Sequence, residues 1–449
     1  MKRILRYLLY FFGALLALVV FIALISIAPV NRSIDRSDEL LTMQEKIKSL
    51  PPVAQNISSF YAGYAKVNLT PSFPVATAGY GKRKGKLIES IRDSVFVRAM
   101  VLHNGAQRVA IVSADLLIIP PAVTTLLERE LPLIGFSLNN TYLGATHTHN
   151  SIGNWGEGAA AFLYGAYNEQ VVRFMVDQIK EAIATANRTV RPAVLKAGTI
   201  AVPHAVRNRL ISNGPVDSLL RVVEIQQDNN RKQILLSYTA HATCLTSKDL
   251  SLSRDYPGAL VDALEAQGYS FAMFMAGAVG SHACRIPEGE DCITWMGTEL
   301  ANYFQEHRDS LLSISSSVLA FYRVPLLLPG PQPKLTGSLS LRPWLFRYAF
   351  GEYPVYLNAL RIGNVLMIGT PCDYSGEFNH HLDQYANKYG LNVMLTSFNG
   401  GYIGYVTPDK YFDQNHYETR LMNWYGYGNG EYVTSCIEAL IDHNGYNHF

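Results

Sequence analysis

Charge of one sign is what this sequence has least of. Thirty-eight Lys and Arg against thirty-six Asp and Glu leave a formal net charge of +2. No clustered basic face marks a nucleic-acid partner, so that class is set aside. Cysteine is scarce, with five in 449 residues. Cys244, Cys284, Cys292, Cys372 and Cys436 form no CxxC pair, which argues against a structural zinc ribbon. Internal repeats and long low-complexity linkers are also missing, so one mixed α/β domain is the simplest organisation. Disorder is excluded by the apolar content of 48%, ample for a sizeable core.

A long apolar run is present at the start. Lys2, Arg3 and Arg6 precede an uncharged stretch over residues 7–30. At ~1.5 Å per residue, about 20 such residues span a hydrocarbon core of roughly 30 Å. The basic flank is expected to stay cytoplasmic, leaving the rest periplasmic or extracellular. A cleaved secretory signal is the alternative reading, since Ser26-Ile27-Ala28 has the small-residue spacing of a cleavage site. Pro29 disfavours that cut, and a retained transmembrane anchor over 1–30 is preferred. In an exported domain, Cys284 and Cys292 are close enough to staple a loop, or all the thiols are free. The odd count leaves at least one thiol unpaired within the chain.

Residues 31–59 are mostly polar and read as a helical or flexible spacer before a domain over 60–449. The expected elements are strands at 109–113, 234–238 and 271–275 and helices at 170–186, 257–267 and 296–304. Leu and Pro enrich 326–333, and Arg342-Pro343-Trp344-Leu345-Phe346-Arg347-Tyr348 mixes aromatics with arginines. That stretch reads as a packed surface loop or as a lip dipping into a membrane interface.

Chemistry concentrates after apolar strands. Thr146-His147-Thr148-His149-Asn150 follows one; on extended backbone, histidines two apart share a face. His241 ends a second strand. Asp373 follows a third, and Tyr402 to Pro408 is tyrosine-rich. Brought together, they would supply two imidazoles and a carboxylate with an open position for water, as a catalytic zinc requires.

These pieces resemble the neutral/alkaline ceramidase family from about Ala65 to Glu418. The likeness is carried by Asn68-Leu69-Thr70-Pro71, Gly79-Tyr80-Gly81-Lys82-Arg83, Arg92-Asp93, Val112-Ser113-Ala114-Asp115, the HTH motif, Asn208-Arg209, Tyr405-Val406-Thr407, Tyr411 and Tyr417-Glu418. The resemblance implies a fold of mixed β-sheets flanked by helices. It implies zinc ligands at His147, His241, Asp373 and Tyr405, where Asp373 replaces a family Glu and Glu377 is a fallback ligand. It further implies His149 beside the zinc-bound water, with Arg209 and Tyr417 on the substrate amide; Arg207 is a rival for Arg209. The family's metal-side serine aligns with Ala283 in Gly280-Ser281-His282-Ala283-Cys284, so Ser281 or His282 is the substitute to examine. The family's extra C-terminal domain is expected to be lacking. The implied activity is zinc-dependent hydrolysis of an N-acyl amide in a lipid. The alternatives are a zinc hydrolase of a non-lipid amide, peptide or ester, and a non-catalytic binding protein on the same fold.

Overall fold

Runs of apolar residues in this chain alternate between two faces that are both buried, which is why so many of them are strands. In the computed structural model, which describes residues 2–54 and 59–445, Met100 and Leu102 point into one core while Ala99 and Val101 point into another. Leu235 and its neighbours Ile234 and Leu236 divide in the same way. The expected spacer and domain are described except at 55–58 and 446–449, which lie outside these residues, as does Met1 of the expected anchor.

A nine-stranded mixed sheet forms the centre. Its path runs Phe271–Ala276, Lys232–Tyr238, Leu219–Gln227, Arg191–Ala201, Phe60–Asn68, Phe96–His103, Arg108–Ala114 and Thr141–Ala145, with Leu312–Ser313 pairing off Arg191–Ala201. Pairing is antiparallel except at the two ends, where Lys232–Tyr238 with Phe271–Ala276 and Arg108–Ala114 with Thr141–Ala145 are parallel. The sheet curls until its ends approach. The Ser113 hydroxyl donates to the Phe274 carbonyl at 2.5 Å, and a Cβ on Gly144 would lie 3.3 Å from the Met275 side chain.

A second sheet, Leu319–Pro325, Tyr356–Ile362, Val365–Gly369 and Asn392–Thr396, shares an apolar core with the first. Helices cover the outer faces. Glu169–Arg188 buries Val172, Met175 and Ile179 against the first sheet, at the spacing expected for 170–186. Asp255–Ala266 and Cys292–His307 cover its other half.

The expected spacer does not stand free. Ser37–Lys48 is a helix whose Met43 and Ile47 are fully buried with Ile437 and Leu440 of the helix Asn429–Gly445. Leu40 and Leu50 pack beside them, and Arg36 Nη2 donates to the Tyr425 and Tyr427 carbonyls at 2.8 and 2.7 Å. The cysteine expectation is also corrected. The disulfide joins Cys244 to Cys292, while Cys284 is free, because the loop after His241 brings Cys244 to the start of the helix Cys292–His307. The segment expected as a loop or lip contains a helix, Pro343–Phe350, opened by proline at its first position. Lys2–Ser26 is one helix whose large apolar side chains are exposed, a candidate membrane span by length and composition.

Candidate metal centre and its cavity

The C-terminal ends of parallel strands commonly carry functional loops, and this sheet places two of them side by side. After Thr141–Ala145 the chain is pinned by Thr146 N–H to the Ala114 carbonyl at 3.0 Å and by the Thr148 hydroxyl to the Ser253 carbonyl at 2.6 Å. The backbone here is not extended, contrary to the sequence expectation. His147 has φ +60°, in the left-handed region that non-glycine residues rarely occupy. Its ring stacks on Phe398 with centroids 3.7 Å apart and planes 9° from parallel. Phe398 is itself left-handed at φ +67°, so two strained residues face each other at the site, each conformation costing ~1–3 kcal/mol.

Three imidazole nitrogens meet. His147 Nε2 and His241 Nε2 are 2.9 Å apart, and His149 Nε2 lies 3.2 Å from the first and 2.9 Å from the second. The His147 Nδ1 is 2.6 Å from the Leu117 carbonyl and the His241 Nδ1 is 3.3 Å from the Val279 carbonyl. Each Nδ1 therefore carries a proton, leaving lone pairs on both Nε2 atoms aimed at one another. Such a pair repels unless a cation lies between. Burial, with Arg209 and the neighbouring histidines adding to it, holds His241 well below the ordinary imidazole range; burial and then His147 do the same to His149. Neutral imidazoles are what metal ligation requires.

Asp373 completes the group. Its Oδ2 accepts from the Tyr402 hydroxyl at 2.6 Å, while Oδ1 is buried without a hydrogen-bond partner, 3.5 Å from His147 Nε2. An orphaned carboxylate oxygen beside facing lone pairs is the signature of a missing positive charge. The donor set, imidazoles with a carboxylate, fits a divalent ion such as zinc. Asp373 sits opposite Tyr405 in a short parallel pair. The Tyr405 hydroxyl accepts from Arg209 Nη2 at 3.0 Å, Arg209 also reaches the Gly280 carbonyl at 3.1 Å, and its Nε is 3.2 Å from Glu418. Tyr417 packs edge-on to Tyr405 at 5.7 Å.

His147, His149, Asp373, Arg209, Tyr405 and Tyr417 all line one cavity of about 1030 Å³; His241 lies behind it, fully buried. Apolar walls come from Leu117, Ile118, Leu326, Leu328, Phe346 and Phe350.

Other sequence candidates lie elsewhere. Ser281 and His282 are fully buried and do not line the cavity. The Ser281 hydroxyl is engaged with His282 Nδ1 at 2.8 Å and Ser375 Oγ at 2.7 Å, and His282 Nε2 accepts from Asp217 N–H at 3.0 Å. Glu377 is no fallback ligand, because its oxygens accept from Asn208 at 2.9 Å and Tyr411 at 2.8 Å. Arg207 is exposed on a strand edge opposite Ala283, so Arg209 alone faces the site.

Sequence reasoning assigned no role to Arg83, Tyr80 or Phe398. Buried Arg83 donates to the His149 carbonyl at 2.5 Å and to Asn150 at 2.8 Å, fixing the turn that carries both histidines. Tyr80 packs its ring 4.8 Å from that of His149. Between them in purpose is Gly79, where a Cβ would meet the His149 carbonyl at 2.0 Å, so only glycine fits. The Gly-Tyr-Gly-Lys-Arg string was the available signal.

Residues 60–276, just under half of the chain, match the family model described as neutral/alkaline non-lysosomal ceramidase, N-terminal. A crystal structure of neutral ceramidase from Pseudomonas aeruginosa superposes with a TM-score of 0.72 at 17% identity, covering 87% of this chain and 74% of that one. The chain has a neutral-ceramidase fold. A ceramidase complexed with C2 superposes on the ceramidase-like chain with a TM-score of 0.73 at 17% identity, covering 86% and 75%. Comparison with curated protein sequences gives no match. The resemblance read from the motifs is thus borne out over residues 60–276, and the ceramidase-like architecture extends well beyond them.

Proposed function

We propose that this protein hydrolyses the N-acyl amide bond of a lipid, ceramide-like or another N-acyl lipid, with zinc held by His147, His241, Asp373 and Tyr405. The observation that carries the reading is the convergence of three Nε2 atoms beside an unpartnered Asp373 oxygen on the wall of a large, mainly apolar cavity. When bound there, zinc supplies Lewis-acid polarisation and a water acidified to a pKa of about 7. Arg209 and Tyr417 line the same cavity and are the donors available to a carbonyl oxygen, each such donor being worth roughly 3–4 kcal/mol when well placed. His149 lines the cavity with its Nε2 beside those of His147 and His241, a position from which it would pass a proton to the leaving amine. Its Nε2 stands as near the others as a ligand would, so zinc content separates the two roles. The apolar walls exclude water and accept an acyl chain. The solved neutral ceramidases support an amide substrate by likeness of fold.

The N-terminal helix is proposed as a retained anchor. Arg3 and Arg6 remain on the cytoplasmic side, and the catalytic part stands beyond the membrane.

The test uses full-length protein in detergent micelles, loaded with zinc and given a panel of N-acyl lipids with mass-spectrometric readout. Turnover is expected to vanish on chelation and return with zinc. His147→Ala should lose both zinc and turnover, whereas His149→Ala should keep zinc and lose turnover. Full activity in metal-free protein would end the proposal.

A further inference from the structure

The N-terminal helix is tied to the mouth of the cavity without slack. Lys2–Ser26 runs directly into the strand Ile27–Pro29, with no residue between them. That strand pairs antiparallel with Leu339–Leu341, Ile27 opposite Leu341 and Pro29 opposite Leu339. Leu341 is itself a wall residue of the cavity. Further bonds close the seam: Arg342 N–H to the Ser26 carbonyl at 2.9 Å, Val30 N–H to the Ser338 carbonyl at 2.9 Å, and Trp344 Nε1–H to the Ile25 carbonyl at 2.6 Å.

The helix that follows, Pro343–Phe350, has two aromatic faces. Phe346 and Phe350, four residues apart, turn inward to the cavity and pack on Trp424 with centroids 5.1 and 6.2 Å away. Trp344 and Tyr348, also four apart, turn outward and are 47% and 83% exposed. Trp and Tyr are the residue types that settle at a membrane–water interface. Because Trp344 is hydrogen-bonded to residue 25, near the end of the apolar helix, it stands at the level where that helix leaves the bilayer.

We propose that the 343–350 helix is a lip seated in the headgroup layer of the membrane that the N-terminal helix crosses, so that the cavity opens onto that leaflet and draws its lipid from it directly. The proposal rests on reading the helix as an anchor and the cavity as a lipid site. The partner is the lipid surface itself, and it is selected by continuity with the span rather than by charge.

Full-length protein in phosphatidylcholine nanodiscs provides the test. Trp344 emission, taken as the difference between the protein and Trp344→Phe, should be quenched by phospholipid brominated near the headgroup and shielded from aqueous iodide. Free quenching by iodide, with none by brominated lipid, overturns the lip. Inserting about a dozen Gly and Ser residues between Ser26 and Ile27 frees the mouth from the bilayer. It should slow hydrolysis of a bilayer-embedded N-acyl lipid by roughly tenfold or more, through lost effective concentration. A water-soluble short-chain amide should be cleaved as before, and equal rates on the embedded lipid overturn the proposal. Should the unmodified protein cleave neither amide, the functional reading fails and the fluorescence result still decides the lip. Release of the protein by carbonate washing would refute the anchor and the lip together.

Discussion

His241→Ala isolates the metal centre better than any other single change, because His241 lies behind the cavity wall and its loss leaves the mouth intact. In the unmodified protein, zinc at a thousand times its dissociation constant stabilises the folded state by about 4 kcal/mol. Removing one imidazole takes away a nitrogen 2.9 Å from both partners and leaves His147 Nε2, Asp373 Oδ1 and the Tyr405 hydroxyl as the proposed ligands. Loss even of a group that only orients a ligand weakens metal binding by about 10–100-fold, so loss of the ligand should remove at least ~1.4–2.7 kcal/mol of the zinc-linked term. For domains of roughly 150–250 residues, 1 kcal/mol moves Tm by about 2–4 °C, and by less in larger ones. At about 2.1 cal/mol/K per residue over the domain 60–449, zinc should therefore raise the melting temperature of chelator-treated protein by roughly 5 °C, and that of His241→Ala by at most about two-thirds as much. Comparing each protein with and without zinc cancels whatever the cavity left by the missing ring costs. The assay is differential scanning fluorimetry with metal content measured alongside. An equal zinc-induced shift in both proteins, with equal bound metal, would refute the reasoning from the facing lone pairs.

Three further outcomes are expected. Arg209→Met removes the donor shared by Tyr405 and Gly280; kcat on an N-acyl lipid at saturating zinc should fall about 10²–10³-fold, and an unaltered kcat would exclude a role for Arg209. Phe398→Ala deletes a fully buried ring stacked on His147 and should cost ~3–5 kcal/mol in denaturant unfolding, together with weaker zinc binding; normal stability would mean that the stack is dispensable. Burial pushes the Asp115 carboxyl from 3.8 up to about 6, against the pull of Arg254, Arg98 and the Phe96 N–H. The folded state thus holds this proton longer than the unfolded chain, so the contribution favours folding below about pH 4 and is lost by about pH 6, a change of about 3 kcal/mol. Asp115→Asn keeps the acceptor for Phe96 N–H and should flatten that part of the stability–pH curve and stabilise the protein at pH 7; parallel curves between pH 4 and 6 would rule this out.

Much of the architecture was legible because it follows from local pattern. Apolar β-branched runs such as Val109 to Ser113 became strands, and the helical spacing of Val171, Met175, Ile179 and Ile183 became a covering helix. The same reading failed where one or two long-range contacts decide the outcome. Among the described residues of the polar stretch before the domain, the buried apolar side chains are Met43, Ile47 and Val53, too few for a periodic signal, yet they share a core with the C-terminal helix. At the HTH motif an extended backbone was the natural expectation, and it gave way to a left-handed His147 in a turn held by Arg83, Phe398 and a glycine 70 residues away from His149. Ser281 looked available until burial set it against His282 and Ser375.

The sequence by itself determined which segments are apolar enough to be strands, covering helices or a candidate span, and which residues are chemically able to ligate a metal. Those properties belong to a residue and its near neighbours. Tertiary structure alone decided that His147 and His241, 94 positions apart, share one point, that Asp373 keeps one oxygen unpartnered, and that Cys244 rather than Cys284 meets Cys292. It alone decided that Ile27 pairs with Leu341 at the cavity mouth. Contacts between segments so distant in the chain leave no periodic trace, because they are fixed by how curled sheets and their loops close on one another.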